Sequence, residues 1–306
     1  MNFDNLINLQ LVMALIAVFG FVLRKKNIIF TNDKRVVTDI VVNIVLPCNI
    51  IDAFFVEFSK EILIQGGLIM LISCLIEVFC VILNRFLYNK VPKEQRMIYQ
   101  YGTICSNAGF LGTPVAEGIY GAMGMLYASL YVIPQRVVMW SAGVSYFSKI
   151  ENKREVVKKV ATHPCIVAVY IGLFVLISQI QLPYAITRTI SATGDAAFPL
   201  AMLLIGFMLA ESNFKTMFTK GTVLFSFLRL IIIPFFVFIA CKFTGVPELV
   251  GSVSVVLAAM PAGTSTAILA IKYNGDGELA AKCIVLTTIL SLFFIPFWAI
   301  LLSCIY

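Results

Sequence analysis

Charge is the scarcest feature of this chain: Asp, Glu, Lys and Arg make up 13% of its 306 residues, about half the 25% typical of a soluble domain. That shortage excludes an ordinary water-exposed surface. Histidine is nearly absent as well, His163 being the only one. A histidine-based catalytic site is therefore not expected, and an intramembrane hydrolase would also need two facing aspartates or a nucleophile with its base, neither of which stands out. His163 itself adjoins a basic loop and Pro164, which argues against a proton relay. No GxxxxGK[ST] phosphate loop occurs, which disfavours ATP-driven pumping by this chain alone. The eight cysteines include no CxxC pair and stand almost entirely inside apolar runs, so they read as small buried residues, not as disulfides or metal ligands. A signal-peptide layout is missing too: Met1–Gln10 carries Asp4 and no basic residue before the first apolar run, so the first span is expected to be retained. No metal, cofactor or catalytic residue is expected.

What is present is hydrophobic, 60% of the residues, in runs long enough to cross hydrocarbon, for which about 20 residues are needed. Ten such runs can be counted: Leu6–Leu23, Val36–Val56, Ile62–Leu87, Met97–Gly121, Leu126–Phe147, Cys165–Ile180, Ile186–Leu209, Val223–Cys241, Leu249–Ile271 and Cys283–Ile305. The chain is expected to be an all-α polytopic membrane protein. Its net charge of +7 would suit nucleic acid, but the distribution fits membrane topology instead. The connections after the odd-numbered runs hold 18 of the 23 Lys and Arg, while the even connections hold only Lys60, Arg188 and Lys242. By the positive-inside rule the odd connections are cytoplasmic and both termini face out.

Two of the runs are interrupted. Thr103–Pro114, reading TICSNAGFLGTP, sets Gly109, Gly112 and Pro114 beside Ser106, Asn107 and Thr113. Ala258–Thr266, reading AAMPAGTST, repeats the mixture of Pro, Gly and hydroxyls. Glycine and proline weaken a helix, and broken backbone at membrane depth is tolerated where protein covers it or a wet cavity meets it. A kinked structural helix is the plainer alternative for either stretch alone. The second copy favours a pair of broken spans whose half-helix ends form an ion or anion site.

The spacing points to an internal repeat. Asn107-Ala108-Gly109 aligns with Pro261-Ala262-Gly263 at an offset of 154, and Pro47 with Pro199 at 152. Five spans per repeat is an odd number, so the second copy enters from the opposite side. Inverted repeats of this kind are common in secondary transporters, with the site near the midplane. The divisions are residues 1–148, a polar connection at 149–163 reading KIENKREVVKKVATH, and residues 164–306.

SNAGFLGTPVAEGIYG, followed about 150 residues on by GSVSVVLAAMPAGTSTAILAIKYNGDGELAAKCIVLTTILS, resembles the auxin efflux carrier family, which includes plant PIN transporters and bacterial malate and malonate permeases. The likeness covers essentially the whole chain, including LPCNI in the second run and AAFPLAMLLIGFML in the seventh. It implies ten helices in two inverted repeats of five and a fold like that of sodium/bile acid symporters. It further implies a scaffold domain, a transport domain whose fourth and ninth helices cross at their breaks, and elevator-type alternating access. The chain departs from the plant members in its short central loop, about 15 residues, and in Asn-Ala-Gly where they carry a Pro-bearing break. That favours a permease for small organic anions in the cell membrane over an auxin carrier. A channel, a receptor or a weak-acid exporter on the same scaffold remains the alternative. The likeness also implies a homodimer through the scaffold; beyond substrate and lipid, no nucleic acid is expected as a partner.

The expected substrate-binding residues are Ser106, Asn107, Gly109, Thr113, Pro114, Gln135, Arg136, Pro261, Gly263, Thr264, Ser265 and Thr266. Amides freed at Gly109–Gly112 and Ala262–Thr264, at half-helix starts, suit a carboxylate. Arg136, within the fifth run beside Pro134 and Gln135, has the planar fork that matches one; a structural salt bridge or a snorkelling side chain is its other reading. Charges inside spans are functional candidates by default. Glu77 in the third run and Arg229 in the eighth, again 152 apart, suit a structural pair. Glu77, Glu117 and Asp195 are the candidates for a coupling proton or sodium ion, Glu117 and Asp195 being equally at home at a wet span end.

Overall fold

In the computed structural model, residues 3–57, 59–147, 154, 158, 161–211, 217–273 and 275–305 are described. Most of the 149–163 connection, with Lys149, Lys153 and Lys159, lies outside them, as does Lys215. The described residues are mainly helical, with no β-strand beyond one isolated bridge. The first helix, α1, is Phe3–Lys25. Next, α2 (Thr31–Ile40) runs through a π turn, Val41–Val45, into α3 (Leu46–Ala53). A long helix, α4 (Lys60–Leu87), is capped by Ser59, whose Oγ accepts the Ile62 N–H at 3.2 Å. Then come α5 (Lys93–Ile104), a single turn at Asn107–Gly109, and α6 (Gly112–Val138), which ends in a π turn at Met139–Gly143. Gly121 breaks α6 with a left-handed φ of 68°, a conformation glycine adopts without penalty.

The rest of the chain follows the same habits. Helix α7 is Pro164–Ser178, α8 is Tyr184–Gly194 and α9 is Ala197–Glu211. Helix α10 (Lys220–Phe227) passes through a π turn, Leu228–Ile232, into α11 (Ile233–Thr244). Last are α12 (Glu248–Ala258), α13 (Ser265–Lys272) and α14 (Gly277–Ile305). Each of the ten apolar runs thus falls on a helix or on helices joined through a break, turn or kink. Among the described residues, five helical stretches are long and apolar enough to cross a membrane: Val36–Ala53, Lys60–Leu87, Tyr184–Phe207, Lys220–Thr244 and Gly277–Ile305.

Prolines explain several of the interruptions. Pro234 has no N–H for the Leu230 carbonyl four residues back. That carbonyl is taken instead by the indole N–H of Trp298, at 2.9 Å. Large apolar side chains such as Phe19, Ile64, Phe86, Phe174 and Phe293 remain outward and exposed. In a chain of this composition that surface suits lipid, in which an outward apolar side chain costs nothing.

The helices pack as two groups, and each group draws on both halves of the sequence. One contains α1, α2–α3, α7 and α8–α9; the other contains α4, α5, α6, α10–α11, α12, α13 and α14. Within the first, α1 and α9 touch backbone to backbone. A Cβ on Gly206 would lie 1.7 Å from the Ala17 carbonyl oxygen, and one on Gly20 would lie 2.0 Å from that of Leu203. Small residues let helices approach this closely where lipid supplies no hydrophobic drive. Contacts also join odd connections to one another, the first to the seventh and the third and fifth to the ninth: Arg24 Nε meets Glu211 Oε1 at 3.2 Å, the rings of Phe147 and Tyr273 lie 6.0 Å apart, and a Cβ on Gly275 would be 3.3 Å from Met97 Sδ.

Candidate functional site

The two broken stretches meet. Ser106 and Ala262 form an isolated antiparallel bridge: the Asn107 N–H donates to the Pro261 carbonyl and the Gly263 N–H to the Cys105 carbonyl, both at 2.7 Å. Backbone released from two helices is thereby paired across the crossing, as hydrocarbon requires. Gly263 is needed here for its lack of a side chain, since a Cβ would lie 2.8 Å from Cys105 Sγ and 3.1 Å from its carbonyl oxygen. The Ala262 N–H goes to Thr287 Oγ1 at 3.1 Å. On the other break, the amides of Phe110 and Leu111 both return to the Asn107 carbonyl. Most of the amides that the sequence suggests for an anion are therefore already used.

The polar side chains divide in the same way. Gln135 donates to Ser106 Oγ at 2.5 Å and to its carbonyl at 3.2 Å. Thr113 bonds back to the Gly109 carbonyl at 3.3 Å, a habit of hydroxyls in helices. Ser265 Oγ sits 3.0 Å from Cys105 Sγ and accepts from the Tyr101 hydroxyl at 3.3 Å. Pro114 is buried in the first turn of α6, and Pro261 serves through its carbonyl. Thr266 Oγ1 is buried without a partner among the described residues. Among the described residues, Asn107, Thr264 and Arg136 make no side-chain hydrogen bond, and Thr264 is exposed.

Arg136 is the charge at this crossing. Its guanidinium lies against Gly109, where a Cβ would be 2.6 Å from Nη2. The side chain is half-buried, and no carboxylate pairs with it among the described residues. Its field also reaches Tyr101, Cys105, Cys165 and His163. His163 caps α7 by accepting the Cys165 N–H on Nδ1 at 3.3 Å. Burial, and secondarily the Arg136 charge, push its pKa down from 6.5 to about 4. Between those values the unfolded chain binds a proton that the folded one refuses, so this contribution to stability is intact above 6.5 and declines as pH falls toward 4. His163→Asn keeps a capping acceptor and should melt with a flatter acid limb than wild type. Identical limbs in the two melting series would refute that.

The sequence profile of the membrane transport protein family matches this chain twice, over residues 7–163 and 153–299. The chain belongs to that family, the auxin efflux carrier family. An uncharacterized transporter of Methanothermobacter thermautotrophicus is 34% identical over 199 residues, covering 64% of this chain and 65% of that protein, just under two thirds of its length. A second, from Methanocaldococcus jannaschii, is 22% identical over 302 residues, covering 94% and 96% of the two chains.

In this auxin efflux carrier family member the field of one of the remaining ionisable candidates, Glu77, also reaches Cys105 at the crossing. Glu77 and Arg229 are each 3% exposed and attract one another. They form no direct ion pair or hydrogen bond among the described residues, and Glu77 Oε2 and Arg229 Nε have no partner. The pairing expected from the sequence is thus one of proximity, not contact. Glu117 is part-buried and accepts from Asn49 Nδ2 at 3.0 Å, while Asp195 is exposed beyond α8. Asn49, Thr287 and Tyr101 were not among the residues singled out in the sequence. Asn49 and Thr287 stand as polar residues inside apolar runs, a signal that could have marked them; Tyr101 carries none.

Proposed function

We propose that the protein is a secondary carrier of small organic anions of the malate and malonate class, working by elevator-like alternating access. The observation that carries this reading is a guanidinium held against Gly109, with no carboxylate partner among the described residues, at the point where two broken helices pair. A planar cation at a crossing that also carries Asn107 and Thr264 offers a carboxylate one strong charge-assisted contact and a few neutral ones, enough to orient it and still release it. The α1/α3/α7/α9 group takes the role of scaffold and the crossing helices that of transport domain. Two matches to one family profile support two repeats, and contacts that join odd connections to one another accord with the topology in which both termini face out of the cell membrane.

Uptake of labelled malate and malonate into proteoliposomes tests the proposal. Saturable uptake of either anion, inhibited by the unlabelled compound, is the expected result. Flux that never saturates would indicate a channel, and binding without flux a receptor.

A further inference from the structure

One contact between the two helix groups contains an acceptor that lacks a donor. Glu117 stands three residues after Pro114, on the part of α6 that follows the break. Asn49, on α3 in the other group, donates from Nδ2 to Glu117 Oε2 at 3.0 Å. Asn49 is 2% exposed, and Gly194 at the end of α8 presses on it so closely that a Cβ there would lie 2.7 Å from Asn49 Cα. The other arm of the same carboxamide, Oδ1, is buried with no hydrogen-bond partner among the described residues. Because Oδ1 and Nδ2 share one carbon, the stranded acceptor lies beside the Glu117 carboxyl.

The charged surroundings point the same way. Among the described residues of the elements packed on α6, the ionisable groups that bear on Glu117 are Asp52 of α3 and Asp195, both acidic. Asp52 is itself bonded by the Ser191 hydroxyl. No Lys or Arg is among them. A charged Glu117 would add a third carboxylate and leave Asn49 Oδ1 without a donor. One proton on Oε1 removes both difficulties: the acid O–H donates to Oδ1 while Nδ2 keeps donating to Oε2, closing a two-bond ring between acid and amide.

We propose that Glu117 and Asn49 form a proton-binding site, in which the Glu117 carboxyl takes up one proton and pairs face to face with the Asn49 carboxamide. The step is protonation of one carboxylate oxygen, with no other bond made or broken. A proton suits the site better than a metal ion, for among the described residues no three His, Cys, Asp or Glu side chains lie close enough to hold one. Resting on the carrier reading above, the site has a consequence for coupling. Its two members belong to the two helix groups, so sliding one group past the other opens the ring and frees the acid to release its proton.

The test begins with a readout that needs no substrate. Infrared difference spectra of the purified protein in lipid nanodiscs, titrated from acid to alkaline pH, should show a protonated-carboxyl band at neutral pH that vanishes on alkalinisation. Glu117→Gln should lack that band yet stay folded, because its amide can make both bonds to Asn49. Asn49→Leu should keep the band but move it to higher frequency, as a less hydrogen-bonded carbonyl vibrates. A wild-type band that is missing, or one unchanged by Glu117→Gln or Asn49→Leu, would overturn the proposal. The second measurement is labelled malate uptake under an imposed pH gradient, expected to rise about tenfold in wild type, the equilibrium equivalent of one pH unit, and not in Glu117→Gln. A titrating band without that acceleration would refute the coupling role. A titrating band in protein that moves neither malate nor malonate would count against the carrier reading and leave the proton site standing.

Discussion

Arg136→Ala should lower the apparent affinity for a transported carboxylate by about ten- to a hundredfold while leaving membrane insertion and melting behaviour near wild type. The range follows from the worth of a hydrogen bond to a charged group, about 1.5–3 kcal/mol, each 1.4 kcal/mol being tenfold. Folding should be little affected because Arg136 is half-buried and has no ion-pair partner among the described residues to leave stranded. Arg136→Lys should recover only part of the loss, since an ammonium is a point charge without the planar fork. Gly109→Val supplies a check that leaves the charge in place. Its side chain would enter space now held by Nη2, 2.6 Å from a Cβ, with Val132 Cγ1 at 3.2 Å; the flexible arginine can swing aside, and the Val132 methyl must give by a small fraction of an ångström. Uptake by Gly109→Val should therefore fall, though less than with Arg136→Ala. Normal uptake by Arg136→Ala would remove the residue from the binding site.

The second large effect should fall on assembly of the fold. Gly206→Leu should sharply reduce the yield of folded protein, and even Gly206→Ala should cost about 1–3 kcal/mol, the usual range for overpacking. The obstacle is the Ala17 carbonyl oxygen, 1.7 Å from the position of the new Cβ. A side chain could turn away; backbone cannot, so α1 and α9 would have to part along their shared seam. Gly67→Ala is the matching control, since nothing lies within 4 Å of a Cβ there, and alanine also favours the helix by roughly 0.5–1 kcal/mol. Melting temperatures in detergent should thus move in opposite directions for the two alanine variants. A Gly206→Ala protein as stable as wild type would show that the seam is looser than described.

How far the sequence can be read depends on how local the controlling physics is. The breaks at Thr103–Pro114 and Ala258–Thr266 are legible because Gly and Pro act on their own turns of helix. The break at Gly121 falls where the fourth apolar run ends, before the fifth begins at Leu126, although only the positive φ shows how the chain turns there. The allocation of donors was less legible still. Ser106, Gln135, Thr113 and Ser265 look alike as polar residues near a break, yet each is already engaged within the protein. Glu77 and Arg229 looked like a pair by their equal places in the repeat, and the fold brings them close without joining them.

By itself, then, the sequence determined that this is a helical membrane protein, where its apolar helices lie and which two are broken, because hydrophobicity and helix propensity belong to short windows of chain. Only the tertiary structure decided that the breaks pair with each other, that Arg136 meets the crossing with no ion-pair partner among the described residues, and that Asn49 meets Glu117. Those outcomes rest on hydrogen-bond partners as far apart as Cys105 and Gly263 or Asn49 and Glu117. Whether a polar group is free or spent is settled by what the fold brings to it.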